Sequence, residues 1–196
     1  MPNQLQDDSL AAWLRLYHTP GIGGRAFQRI LERFSTPEAF LLAPRQAQLQ
    51  AGLSAEVLAG LERLDEAAVE ADLRWLEAVD HHVLRCIDPR YPERLRCIPV
   101  PPPLLFVVGE PAVLTRPQLA VVGSRNPTPG GAANAHDFAA HLVRAGLTVT
   151  SGLALGVDAA AHRGALDADG LTIAVLGTGP DRIYPARHRA LAEAIA

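Results

Sequence analysis

Between Leu119 and Gly131 the chain reads LAVVGSRNPTPGG, four apolar residues running through a Gly-Ser-Arg turn into a loop with two prolines and two glycines. A turn built on Gly123 and Ser124 lets backbone N–H groups come close to an anion, because glycine puts no Cβ in the way. Arg125 adds a guanidinium suited to a charge-assisted hydrogen bond with a phosphate oxygen. Two further strand-to-glycine junctions follow, TVTSGLALG and TIAVLGTG. The first glycines of the three junctions are Gly123, Gly152 and Gly177, 29 and 25 residues apart. With Gly179 they form a set that suits phosphate better than a reactive carbonyl. Tight turns required only by the fold are the alternative use of the same glycines.

Elements that place such turns together can be read from the surrounding pattern. Helical stretches lie between the junctions, from about 131 to 145 and from 158 to 167, each reaching a glycine soon after its end. Strand, glycine turn, helix and strand at this spacing predict βαβ units of a parallel sheet with right-handed crossovers. The near-continuous apolar strands fit burial on both faces. The expected fold is therefore α/β, a Rossmann-like parallel sheet with helices on both faces, whose strand ends line one ligand crevice.

Before Asp80 the period is helical. Leu10, Trp13, Leu14, Leu16 and Tyr17 form one apolar stripe, PGIGG interrupts, and Ala26, Phe27, Ile30, Leu31 and Phe34 form the next. Thr36-Pro37-Glu38 reads as a helix start, and further helices are expected over 54–64 and 65–79. This predicts a small all-α domain over 1–80, of the SAM-like or helix-hairpin-helix-like kind, followed by a sheet domain over 81–196. The PGIGG turn admits two readings, presentation of N–H groups to phosphate or simple helix packing.

Composition narrows the chemistry. The 196 residues carry a net charge of −3, so a phosphate site must be local rather than spread over a basic surface. Residues 1–115 hold 11 arginines against 15 acids, and residues 116–196 hold 7 against 6, which favours the second part as its home. All 18 basic residues are arginine. Without lysine there is neither a Walker A loop nor a Schiff-base mechanism. GSRNPTPGG is not the dinucleotide fingerprint, and no acid stands at the end of the next strand to hold a ribose, so no dinucleotide cofactor is expected. Cys86 and Cys97 lack metal-site spacing and read as packing residues, so no metal is expected. The first ten residues lack a basic start and an apolar core of a leader, which makes the cytoplasm the expected location, with no membrane partner. Asp158 reads as a helix cap or as a ligand contact, and His162, one turn later, as a packed histidine or one placed near the crevice.

Five segments carry a resemblance to a known family: DPRYPERL at 88–95, PPLLFVVG at 102–109, VVGSRNPT at 121–128, SGLALGVDAAAH at 151–162 and TIAVLGTGPDRIYPARHRAL at 172–191. In order and spacing they resemble the bacterial DNA-processing protein A family (DprA, also called Smf). The resemblance implies an extended Rossmann fold that binds single-stranded DNA without catalysis, protects incoming DNA and loads the RecA recombinase in natural transformation. It places Arg125 in the DNA pocket and makes Gly123, Ser124, Thr128, Ser151, Gly152, Gly156, Gly177, Thr178 and Gly179 the expected DNA-binding residues around it. The family often has an aromatic residue at Gly130, a basic residue at Leu155 and asparagine at His188. It also continues through further strands, so this chain resembles a truncated member, and the homodimer implied for full-length proteins is not carried over with it. A small-nucleotide-binding or nucleotide-cleaving Rossmann-like protein is the alternative. It would need a positioned carboxylate, for which Asp158 and, less well placed, Asp181 are the candidates.

Overall fold

The computed structural model of the protein describes residues 2–179 and 181–196. It divides into two compact units, residues 1–105 and 106–196.

In the first unit six helices follow one another: α1 (Pro2–His18), α2 (Gly24–Phe34), α3 (Pro37–Leu42), α4 (Arg45–Leu49), α5 (Ala55–Glu62) and α6 (Glu66–Trp75). Their starts are written in the sequence. The side chains of Thr36, Ser54 and Asp65 each accept a hydrogen bond from a first-turn N–H, at 3.2, 3.2 and 3.0 Å, capping α3, α5 and α6. The apolar stripes meet in a core of Trp13, Leu16, Phe27, Ile30 and Phe40, with the Trp13 and Phe27 rings 5.2 Å apart. Gly21 of the PGIGG turn has φ +88°, and a Cβ there would stand 2.7 Å from Val57 Cγ2; a Cβ on Gly24 would stand 2.6 Å from Val100 Cγ1. Both glycines are thus committed to close packing, the simpler of the two readings of that turn. The unit also contains β1 (His81–Arg85), α7 (Glu93–Arg96) and the start of β2 (Leu104–Val108), so helices share it with strand. Trp75 is only half-buried, stacking on His81 with ring centres 4.1 Å apart rather than joining the core.

The second unit holds the predicted βαβ succession. β3 (Gln118–Ala120), α8 (Pro129–Arg144), β4 (Thr148–Ser151), α9 (Val157–Asp167) and β5 (Thr172–Ala174) alternate, and α10 (Arg189–Ile195) follows. The three strands lie in chain order and all pair in parallel, with Leu119 opposite Val149 and Thr150 opposite Ile173. Gly146, at φ +87°, stops α8, and the Leu147 N–H returns to the Leu142 carbonyl at 3.1 Å. The core between sheet and helices is small and aliphatic: Ala139, Leu142, Val149, Ala161 and Ala165.

α8 and α9 pack side by side. A Cβ on Gly164 would collide with the carbonyl oxygen of His136 and lie 2.7 Å from its carbon, so the helix backbones touch. Two crossover helices in contact cover the same face, which corrects the expectation that they would clothe both. Gln118 and Ala120, both exposed on the face of β3 turned away from Val149, show the consequence. Among the described residues no helix is long and apolar enough to cross a membrane, and no group of three or more metal-ligating side chains comes together.

Candidate nucleic-acid interface

The ends of β3 and β4 are locked together beyond their ladder. The Val121 N–H donates to the Thr150 carbonyl at 2.9 Å, and the buried Ser151 hydroxyl donates to the Val121 carbonyl at 2.7 Å. Ser151 is therefore a structural tie at this point rather than an exposed group. Just past these ends the two glycine turns meet. A Cβ on Gly123 would stand 2.8 Å from Val157 Cγ2, the Val157 N–H donates to the Ser124 carbonyl at 3.1 Å, and a Cβ on Gly156 would collide with that same carbonyl oxygen. Gly156 has φ +79°, the left-handed region where a side chain is strained. Backbone against backbone is what these glycines provide.

The 152–154 loop is clamped from two sides. Asp158 Oδ2 accepts the N–H of Gly152 at 3.1 Å and of Ala154 at 3.3 Å. His188 Nδ1–H donates to the Leu153 carbonyl at 2.8 Å. Between them Leu153 is fully buried at φ +58°, a conformation that costs free energy for a leucine and that its surroundings must hold in place. Asp158 thus caps the loop through one oxygen of its carboxylate.

His162 lies beneath, with no exposure. Thr172 donates its hydroxyl to the Val149 carbonyl at 2.8 Å and accepts from His162 Nδ1–H at 2.7 Å, fixing the tautomer. Burial, reinforced by nearby His188 and opposed by Asp158, pushes the His162 pKa down to about 4. It is a neutral packing residue.

A cleft of about 410 Å³ opens over this junction, lined by Arg125, Ala132, Leu155, Gly156, Ala159, Ala160, Arg163, Arg187 and His188. No carboxylate lines it. Arg125 and Gly156, two of the expected site residues, face it directly; Gly123 and Ser124 form the turn behind, where the Asn126 N–H donates to Ser124 Oγ at 3.0 Å. Thr128 starts α8, its hydroxyl accepting the Gly131 N–H at 3.1 Å. Gly177, Thr178 and Gly179 follow β5 in a separate turn, where Thr178 Oγ1 donates to the Arg182 carbonyl at 2.8 Å, and they do not line the cleft. Arg163 and Arg187 were not among the expected residues. The signal for Arg163 is present in the sequence, since Gly156, Ala159, Ala160 and Arg163 fall at i, i+3, i+4 and i+7 on one helix face. A larger hollow of about 530 Å³ along α8, lined by Asn134, Asp137, Phe138 and His141, contains an aspartate and no arginine, and phosphate would gain nothing there.

Fold and cleft together define a parallel α/β unit with an arginine-lined groove at its strand ends. The family model of the DNA recombination-mediator protein A matches residues 82–196, and the chain belongs to that family. It is 36% identical over 186 residues to Protein Smf of Escherichia coli, covering 93% of this chain and 48% of that one, and 45% identical over 113 residues to Protein Smf of Synechocystis, covering 56% and 28%. The chain spans about half the length of the E. coli relative. Among solved structures, DprA from Streptococcus pneumoniae superposes with a TM-score of 0.76 at 29% identity, over 92% of this chain and 62% of that one. DNA processing protein A from Helicobacter pylori, solved in a study of its single-stranded DNA binding mode, superposes with a TM-score of 0.51 at 32% identity, over 59% and 51%.

Proposed function

We propose that the chain binds single-stranded DNA through its sugar-phosphate backbone and serves, as part of a recombination mediator, to protect incoming DNA and load RecA in natural transformation, without catalysing a reaction itself. The observation that carries this reading is Arg125 standing at a carboxylate-free cleft against the close-packed Ser124–Gly156 junction. A guanidinium at a rigid turn is built to fix a phosphate. Gly123, Ser124, Arg125 and Gly156 form the contact, Thr128, Ser151 and Gly152 hold its turns in shape, and Gly177, Thr178 and Gly179 are outer contacts along the same row of strand ends. The Helicobacter relative's single-stranded DNA binding supports the ligand class.

In the same proposal, the helices of residues 1–80 and the domain of 81–196 are separate functional parts, a division supported by the family match beginning at residue 82. The protein acts in the cytoplasm, and the full-length form is a homodimer. The test is fluorescence anisotropy with a labelled oligonucleotide at two salt concentrations, competed by mononucleotides. Salt-sensitive binding that mononucleotides do not displace supports the reading; displacement at equal concentration transfers it to a small-nucleotide protein.

A further inference from the structure

We infer that Arg163 and Arg187 bind DNA phosphates alongside Arg125, so that the cleft holds more than one phosphate and the strand runs along the Gly156–Arg163 face of α9; this rests on the DNA-binding reading above.

Three observations meet here. First, the three guanidiniums come from distant parts of the chain, the turn after β3, the second turn of α9 and the 3₁₀ turn Ala186–His188, yet they line one cleft. Like charges gathered in one place repel unless an anion joins them, and no acid lines the cleft to do so. Second, none of the three has a hydrogen-bond or ion-pair partner among the described residues, whereas in the first unit Arg15 pairs with Glu66, Arg74 with Glu70 and Arg90 with Asp88. No carboxylate of the protein therefore competes with a ligand for the cleft guanidiniums. Third, the helix face leading from the junction to Arg163 is Gly156, Ala159 and Ala160. Nothing on that face is long enough to keep a nucleic-acid backbone away. From Gly156 to Arg163 the helix rises about 10 Å, farther than the oxygens of one phosphate extend. A strand touching both ends must present successive phosphates.

The alternatives within the same unit are weaker. Arg116, Arg144, Arg182 and Arg189 do not line the cleft. They supply the control, because a general electrostatic attraction would depend on them as much as on Arg163 and Arg187.

The experiment measures the affinity of the 196-residue chain for a labelled oligonucleotide across a salt series, with the variants Arg125→Ala, Arg163→Ala, Arg187→Ala, Arg163→Ala/Arg187→Ala and Arg144→Ala, each checked by thermal melt. Arg163→Lys and Arg187→Lys, which keep the charge, accompany them. Arg163→Ala and Arg187→Ala should each bind about five- to tenfold more weakly and Arg125→Ala more weakly still, and the slope of log affinity against log salt should become shallower by about 0.7 for each phosphate no longer neutralised. Arg144→Ala should leave both unchanged, and the lysine variants should keep most of the slope. If Arg125→Ala abolishes binding while Arg163→Ala/Arg187→Ala keeps affinity and slope, the inference is overturned and the DNA-binding reading stands. Equal weakening in Arg144→Ala also overturns it, in favour of diffuse attraction. If Arg125→Ala binds like the parent, or the parent does not bind at low salt, the underlying reading falls and takes the inference with it.

Discussion

Gly156 and Ser124 are pressed together so closely that a single Cβ on the first would collide with the carbonyl oxygen of the second, and would lie 2.6 Å from Pro127 Cδ. The first two glycine turns are one object, and the position of Arg125 is set by a residue 31 places further along the chain.

Gly156→Ala should therefore disturb fold and site at once. The added methyl meets backbone rather than a flexible side chain, and φ +79° is strained for alanine. A loss of about 2–3 kcal/mol is expected, the sum of overpacking and left-handed strain. Gly130→Ala is the contrast: a Cβ there meets nothing within 4 Å, in the first turn of α8, so stability should hold or rise slightly. Chemical denaturation of the two variants checks the pair.

Arg125 separates geometry from charge. Arg125→Ala removes a charge-assisted bond and should weaken DNA binding by about 1.5–3 kcal/mol. Arg125→Lys keeps the charge but not the planar fork, and should fall between alanine and the parent. Melts should be unchanged for both, because the residue is exposed and unpaired among the described residues. A collapsed melt would assign Arg125 to the fold instead.

The clamp on the 152–154 loop predicts a shared phenotype for two residues far apart in sequence. Asp158→Ala strips the acceptor from two N–H groups and His188→Ala strips the donor from the Leu153 carbonyl. Each should cost about 1–3 kcal/mol, as two part-buried N–H groups lose their acceptor in the first and a buried carbonyl its donor in the second. Hydrogen exchange at Gly152 and Ala154 should quicken in Asp158→Ala while that of Val149 in the middle of β4 stays slow.

Acid should destabilise the second unit through His162. Its folded pKa is depressed to about 4, whereas in the unfolded chain it lies near 6.5. As pH falls below about 6.5 the unfolded state takes up the proton and the folded state does not, so stability drops until about pH 4, by roughly 2–3 kcal/mol. His136 runs the other way. Its hydrogen bonds to Asp167 and Asp137 raise its pKa, a gain complete below 6.5 and lost as pH climbs through the folded value; on an exposed surface it is too small to offset the loss at His162. Denaturation midpoints between pH 7.5 and 4.5 should fall, and less steeply in His162→Gln.

Much of this was legible in the residues. Thr36-Pro37, Ser54 and Asp65 announced their helices, because caps are local chemistry. The strand-glycine-helix rhythm from Leu119 to Ala174 announced the parallel sheet for the same reason. Arg125 and Gly156 could be named because each sits in a turn whose form depends on its neighbours. Arg187 could not, since only the fold carries the turn after Tyr184-Pro185 back to the start of α9. Nor could the bare face of the sheet: alternation places Ala120 and Val149 on opposite faces, and does not say how many helices arrive to cover each. Nor does anything in the sequence signal that the Ser151 hydroxyl donates to the Val121 carbonyl.

The unpartnered guanidiniums of the cleft also mark the protein for a particular kind of labelling. Dicarbonyl reagents condense with free guanidinium groups, and Arg125, Arg163 and Arg187 stand open to them where Arg15, Arg74 and Arg90 are engaged by carboxylates. Amine-directed acylation, by contrast, finds no lysine side chain anywhere in the sequence. A strand lying in the groove would write its outline as arginines spared from modification, and the cell's usual means of muting a basic surface, acetylation of lysine, has nothing here on which to act.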